Sequence, residues 1–147
     1  TPASYYNNPL ELAQAQEKFK SMGVKSRLLN DLTLALDSYT PDKSTIKKID
    51  FDENEIFKYV SQIDTYADFS FSKLKSTYNL KSIGKSCIFS HSQIEETPKL
   101  EYIGKDVYYG FSKLKDTGNI VIGRDMHIEN SNIQNDLKAI VGRKIYR

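Results

Sequence analysis

A pattern of the form apolar-x-apolar-x-x-Ser-x-apolar occurs four times in this chain, and it constrains the fold more than any other feature. The copies are Ala67-x-Phe69-x-x-Ser72-x-Leu74, Cys87-x-Phe89-x-x-Ser92-x-Ile94, Val107-x-Tyr109-x-x-Ser112-x-Leu114 and Met126-x-Ile128-x-x-Ser131-x-Ile133. Their serines lie 20, 20 and 19 residues apart. A second ladder keeps step with the first: Ile83-Gly84, Ile103-Gly104, Ile122-Gly123 and Val141-Gly142, with glycines 20, 19 and 19 apart. A fixed period near twenty residues marks a solenoid. One repeat cannot bury its own apolar residues, so neighbours stack and share a continuous core. Each repeat is expected to supply one short strand and a return path.

The pattern resembles the leucine-rich repeat family, whose segment reads Leu-x-x-Leu-x-Leu-x-x-Asn/Cys-x-Leu with a period of roughly 20–29 residues. The resemblance covers about residues 63–147. It departs from the family in placing Ser at the Asn/Cys position of all four copies, and in often replacing Leu with Ile, Val, Phe, Tyr, Met, Ala or Cys. Ile103-Gly104 also stands where the leading leucine of the consensus would fall. The resemblance implies an α/β fold: a solenoid whose short strands form one concave parallel sheet. It implies a binding module that holds another protein on that sheet, within a bacterial surface protein or effector. Two alternatives stay open. One is a structural spacer or cap of a larger protein with no ligand of its own. The other is a small enzyme or regulator acting through the N-terminal segment.

The chain divides into a helical cap region, residues 1–62, and a solenoid of four repeats plus a partial fifth, residues 63–147. Asn8-Pro9-Leu10-Glu11 is a helix start, with Asn8 at the N-cap, Pro9 at N1 and Glu11 at N3. That helix is expected to run to about Met22 and stop at Gly23, burying Leu12, Ala15, Phe19 and Met22. A second helix is expected from Ser26 to Tyr39, on the spacing of Leu28, Leu29, Leu32, Leu36 and Tyr39. Residues 41–48 read as a polar connector, with Ile46, Ile49 and Phe51 as a short strand or docking points. Asp52-Glu53-Asn54-Glu55 starts a short helix over about residues 53–62, with Ile56, Phe57, Val60 and Ile63 inward. At the other end, Ile145 falls 19 residues after Met126, on the strand register. The chain begins Thr1-Pro2-Ala3 without an initiator methionine, which predicts a processed form or an excised fragment.

Composition excludes several classes. Hydrophobic residues make up 39% of the 147 and charged residues 27%, as in globular rather than disordered chains. There is no apolar run of about 18 residues, so no membrane span is expected. A net charge of +2 does not point to a polyanion. A helical pair over residues 9–39 could mimic a DNA-binding helix-turn-helix. However, Phe19 occupies the place where that motif carries a small residue, and Lys18, Lys20, Lys25 and Arg27 are balanced by Glu11, Glu17 and Asp31. The charges read as a solvated face, and no nucleic-acid partner is expected. The single cysteine, Cys87, allows no disulfide within the chain and sits at an inward repeat position, so it reads as a small buried hydrophobe.

No catalytic or cofactor site emerges. His91 and His127 fall nearly two repeats apart, roughly 10 Å at the strand spacing, too far to share a zinc ion. Gly118-x-x-x-x-Gly123-Arg124 lacks the Lys-Ser/Thr ending of a phosphate loop. The expectation is a non-enzyme without cofactor. Strand side chains alternate, so if Val107 and Tyr109 point inward, Tyr108 points out. The outward surface then gathers Tyr66, Phe71, Ile88, His91, Tyr108, Phe111 and His127, as a protein-binding patch would. Ile88, Tyr108 and His127 form its ridge, bordered by Phe71, His91 and Phe111. For Phe71 and Phe111 the alternative is burial in the inner bend.

Overall fold

The computed structural model describes residues 8–147. The N-terminal part holds helix α1 (Pro9–Ser21), strands β1 (Ser26–Leu28) and β2 (Leu34–Leu36), and helices α2 (Lys43–Lys48) and α3 (Glu53–Phe57). The rest is made of short strands: β3 (Val60–Ile63), β4 (Ala67–Asp68), β5 (Ser82–Ile83), β6 (Cys87–Ile88), β7 (Tyr102–Ile103), β8 (Val107–Tyr108), β9 (Ile120–Ile122), β10 (Met126–His127), β11 (Ala139–Val141) and β12 (Ile145–Tyr146). These strands belong to two sheets. One has the order β1-β2-β3-β5-β7-β9-β11, the other β12-β10-β8-β6-β4. Every pairing is parallel except the β1–β2 hairpin. The chain therefore winds as a β-solenoid of about four turns.

The repeat register is as expected. Ala67 pairs with Cys87, Cys87 with Val107, Val107 with Met126, and Met126 with Ile145. The single strand per repeat is corrected to two. The Ile-Gly ladder is itself a parallel sheet, with Ile63, Ile83, Ile103 and Ile122 in register. Its glycines mark where coils approach most closely. A Cβ built on Gly104 would lie 2.0 Å from the Gly84 carbonyl oxygen, and one on Gly123 would lie 1.9 Å from that of Gly104. No side chain fits there.

Aromatic rings stack through the solenoid core. Phe69, Phe89 and Tyr109 stack on one another at 5.4 Å between centroids, with ring planes within 18° of parallel. Ile94 and Leu114 form a buried column beside them, while Ile133, in the last full coil, is only partly buried. Toward the N-terminus the stack ends against Tyr39 and Phe57, 5.7 and 5.8 Å from Phe69, with Phe19 of α1 behind them. The buried Glu53 carboxylate accepts the Tyr39 hydroxyl at 2.6 Å, and the Ser72 hydroxyl and Lys73 N–H at 3.1 Å. It thus satisfies polar groups that face the first coil, as a buried carboxylate must.

Helix α1 starts and stops as the sequence implies. The Asn8 side chain accepts the Leu10 N–H at 2.8 Å, Gly23 sits at φ +76°, and Leu12, Ala15, Phe19 and Met22 are buried. Glu11 reaches elsewhere, accepting the Tyr59 hydroxyl at 3.0 Å.

The second helix, Ser26–Tyr39, is not formed. Those residues make a hairpin whose turn is set by Asp31, which accepts the Thr33 N–H, and by Leu32 at φ +60°. Asn30-Asp31 supplies turn chemistry that outcompetes the helical spacing of the leucines. Leu34, Ala35 and Leu36 are all fully buried, as in a strand covered on both faces, and β2 extends the solenoid sheet by pairing with β3. The helix expected over residues 53–62 ends at Phe57, because Val60–Ile63 are drawn into the sheet between β2 and β5. Ile56, Phe57, Val60 and Ile63 are inward as expected, but the last two belong to β3. The connector contains α2, where Asp42 accepts the Thr45 N–H at 2.7 Å and Ile46 is buried.

Burial raises the Tyr39 phenol well above its ordinary value, helped by the Glu53 charge, and burial likewise raises Tyr109. In the unfolded chain these phenols titrate near pH 10. Because their folded values lie higher, the stability they contribute is complete below that pH and declines as pH rises past it. Urea unfolding is therefore expected to show a lower midpoint at about pH 11 than at about pH 8. An unchanged midpoint would contradict the burial of these two hydroxyls.

Candidate binding surface

Two rows of side chains on the outside of the β4–β12 sheet bring together six of the seven expected residues. The first row lies on the strands. Ile88, Tyr108, His127 and Tyr146 are in lateral register. Tyr108 stacks on His127 at 4.4 Å, and His127 on Tyr146 at 4.4 Å. The second row lies at the corner that follows each strand. Phe71 stacks on His91 at 5.8 Å and His91 on Phe111 at 5.4 Å, with ring planes within 7°. Phe71 is 52% exposed and Phe111 63%, so burial in the inner bend is ruled out. Small residues Ser70, Ser90 and Gly110 lie between the two rows in sequence.

The backbone explains the corner row. Phe71, His91, Phe111 and Asn130 have φ of 61°, 58°, 56° and 54°. Asparagine tolerates this left-handed region, but a bulky side chain there costs roughly 1–2 kcal/mol. Three coils thus hold an aromatic ring outward at a position where glycine or asparagine is cheaper. Backbone strain kept at exposed side chains is characteristic of functional sites.

Tyr66 stands apart from both ring stacks. It is 46% exposed, Lys85 Nζ lies 5.4 Å from its ring centre, and it occupies the residue before the strand, where later coils place Asp106 and Asp125. These two carboxylates tie the coils together. Asp106 accepts Arg124 Nη2 at 2.6 Å and the Asp125 N–H at 3.1 Å. Asp125 accepts Arg143 Nη2 at 2.9 Å and the Lys144 N–H at 3.2 Å. Arg124 holds the Asp106 carboxyl below the ordinary carboxylate range, and Arg143 does the same for Asp125. His127 Nδ1 lies 3.0 Å from Glu129 Oε1.

Tyr146 joins the strand row beyond the seven expected residues, at the place that the register of Ile145 gives it. Lys43 and Lys144 also belong to the surface, with Nζ 4.9 Å and 4.5 Å from the ring centres of Phe71 and Tyr146. The second sheet carries an exposed apolar row of its own, Tyr102, Val121 and Ile140 in register. A reading with one sheet has no place for it. Cys87 is fully buried and burial pushes its thiol up, which leaves it a packing residue. Among the described residues, no group of three His, Cys, Asp or Glu side chains is arranged to hold a metal ion. No described helix is long and apolar enough to cross a membrane.

No protein-family model matches the chain, and comparison with curated proteins and with solved structures gives no match to either.

Proposed function

We propose that the chain is a protein-binding module whose contact surface is the two aromatic rows of the β4–β12 sheet. The observation that carries this reading is the exposed Phe71–His91–Phe111 ladder on left-handed backbone. The middle ring of each ladder, His91 and His127, has a stacked ring on both faces, so these two rings offer their edges. Edges suit the apolar side chains of a protein, whereas stacking a nucleic-acid base needs an open face. The resemblance to leucine-rich repeats, with its implied place in a bacterial surface protein or effector, is part of the same proposal and rests on the repeat pattern of residues 63–147. So does the role of residues 1–62 as a cap, which is supported by the packing of Tyr39 and Phe57 on the first coil.

Tyr108 is the residue to test. It is 37% exposed and central in its row. Central aromatics that lose their water on docking carry most of an interface's energy, often 2 kcal/mol or more each. With a partner selected against the wild-type chain, calorimetry is expected to give at least a tenfold weaker Kd for Tyr108→Ala, about 1.4 kcal/mol. Ile88→Ala should act in the same direction, and neither should move the unfolding midpoint much. If Tyr102→Ala on the other sheet weakens binding while these two do not, the contact surface has been placed on the wrong sheet. A spacer without a ligand would yield no partner sensitive to either substitution.

A further inference from the structure

The third side of the solenoid, between the β4–β12 sheet and the return to the other sheet, is closed by backbone hydrogen bonds between some coils and not others. Glu95 N–H donates to the Lys75 carbonyl at 2.9 Å, and Gln134 N–H to the Lys115 carbonyl at 2.9 Å. The intervening rung, from Lys115 N–H to the Glu95 carbonyl, is absent. A second ladder behaves alike. Thr77 N–H donates to Glu96 at 3.3 Å and Thr117 N–H to Asn135 at 3.2 Å, but Thr97 N–H makes no bond to Asp116. Isolated bridges join Ser76 to Glu96 and Asp116 to Asn135. Among the described residues, no hydrogen bond joins 95–97 to 115–117.

The sequence supplies the cause. From the repeat serine to the next repeat glycine there are 12 residues in the first two copies, Ser72–Gly84 and Ser92–Gly104. There are 11 in the next two, Ser112–Gly123 and Ser131–Gly142. Coils of like length stay bonded on this side, and the break falls where a longer coil meets a shorter one. The corner chemistry differs there as well. Tyr78 and Gly118 turn with positive φ, at 52° and 69°, and Pro98, aligned with them, cannot. The coils part into a cleft of about 1050 Å³, with Leu100 and Leu114 among the residues that line it.

Each lip of this cleft offers strand-spaced backbone groups without hydrogen-bond partners among the described residues: the Glu95 carbonyl and Thr97 N–H on one side, the Lys115 N–H and Asp116 carbonyl on the other. Charged side chains of both signs line it, including Glu95, Glu96, Lys113 and Lys115, and none of them takes part in the ion pairs of the described residues. Alternating donors and acceptors are the signature of a peptide backbone, and pairing at an open edge is a general mode of peptide capture. We propose that the cleft between residues 95–101 and 113–119 is a second binding site that accepts an extended peptide segment carrying both acidic and basic side chains. The segment supplies the missing backbone rungs and pairs its charges with the lips. This site is separate from the aromatic surface and stands or falls independently of it.

The probe is a blocked synthetic octapeptide, Thr-Glu-Thr-Lys twice, titrated into the ¹⁵N-labelled chain. Its control is the same peptide with alternate amides N-methylated, which keeps the charges but removes donors. The Thr97, Lys115 and Asp116 amides are expected to shift saturably with the first peptide. Hydrogen exchange at the Thr97 and Lys115 amides should slow about tenfold when the free peptide is about ten times its Kd, and the N-methylated peptide should give neither effect. The proposal is overturned if the two peptides act alike, if the shifts gather at Tyr108 and Phe111 instead, or if millimolar peptide leaves the three amides unmoved.

Discussion

Replacing Gly104 with alanine is expected to destabilise the chain by about 3 kcal/mol or more, at or above the upper end of ordinary overpacking. The new methyl would lie 2.0 Å from the Gly84 carbonyl oxygen and 2.8 Å from its carbon. The obstacle is backbone, so no side-chain rotation relieves it. The Gly104 N–H is also bound to the Ile83 carbonyl at 2.9 Å, on the same rung. Relief therefore means spreading two coils and breaking hydrogen bonds that hold the sheet. Gly123→Ala meets the same obstacle at 1.9 Å and should behave alike. Gly118→Ala is the instructive comparison: nothing lies within 4 Å of its Cβ site, but φ is +69°, so its cost is the smaller one of placing alanine in the left-handed region, roughly 1–2 kcal/mol. Urea unfolding followed by circular dichroism measures all three. Equal losses at Gly104 and Gly118 would contradict the close approach of the coils.

Phe89→Ala should cost about 3–5 kcal/mol, the usual range for deleting a buried phenyl ring. Phe89 is fully buried and stacks on both sides, 5.4 Å from Phe69 and 5.4 Å from Tyr109. In a solenoid each coil contacts only its neighbours, so stability is roughly a sum of coil and interface contributions. The void left by Phe89 weakens two interfaces at once. Hydrogen exchange should speed up in the coils holding Phe69 and Tyr109 as well as in the altered one. A loss within about half a kcal/mol, the level of a surface change, would mean that the ring is not in the core.

The parts of this architecture that were legible in the sequence are those that repeat. The four serines and four glycines gave the register, and the pairing of Cys87 with Val107 and of Met126 with Ile145 follows it. The second sheet was hidden because its strands within the repeats are only two or three residues long, as in Ser82–Ile83 and Ile120–Ile122, too short to show alternation. Its glycines were visible, but their reason, a carbonyl oxygen against the Cβ site, exists only once coils are stacked. The β1–β2 hairpin was hidden by leucines whose spacing also suits a helix. There Asn30-Asp31 and the pairing of Leu34–Leu36 with β3 decide the outcome, and the second of these is tertiary. On the surface, alternation correctly turned Tyr108 outward, but it could not distinguish an exposed Phe111 from a buried one, since that depends on the left-handed corner. The cleft on the third side follows from a shift in period by one residue, which is plain in the numbers once the strands are in place.

The most direct test of the two-sheet solenoid is a set of interstrand nuclear Overhauser effects in the ¹⁵N,¹³C-labelled chain. Contacts are expected between Ile88 and Tyr108 on one side of the coil and, in the same molecule, between Ile83 and Ile103 on the other. Both should carry the parallel pattern expected of strands about 4.8 Å apart. Finding the first set without the second, with residues 82–83 and 102–103 in helix or irregular structure, would leave a single-sheet repeat and contradict the fold described above.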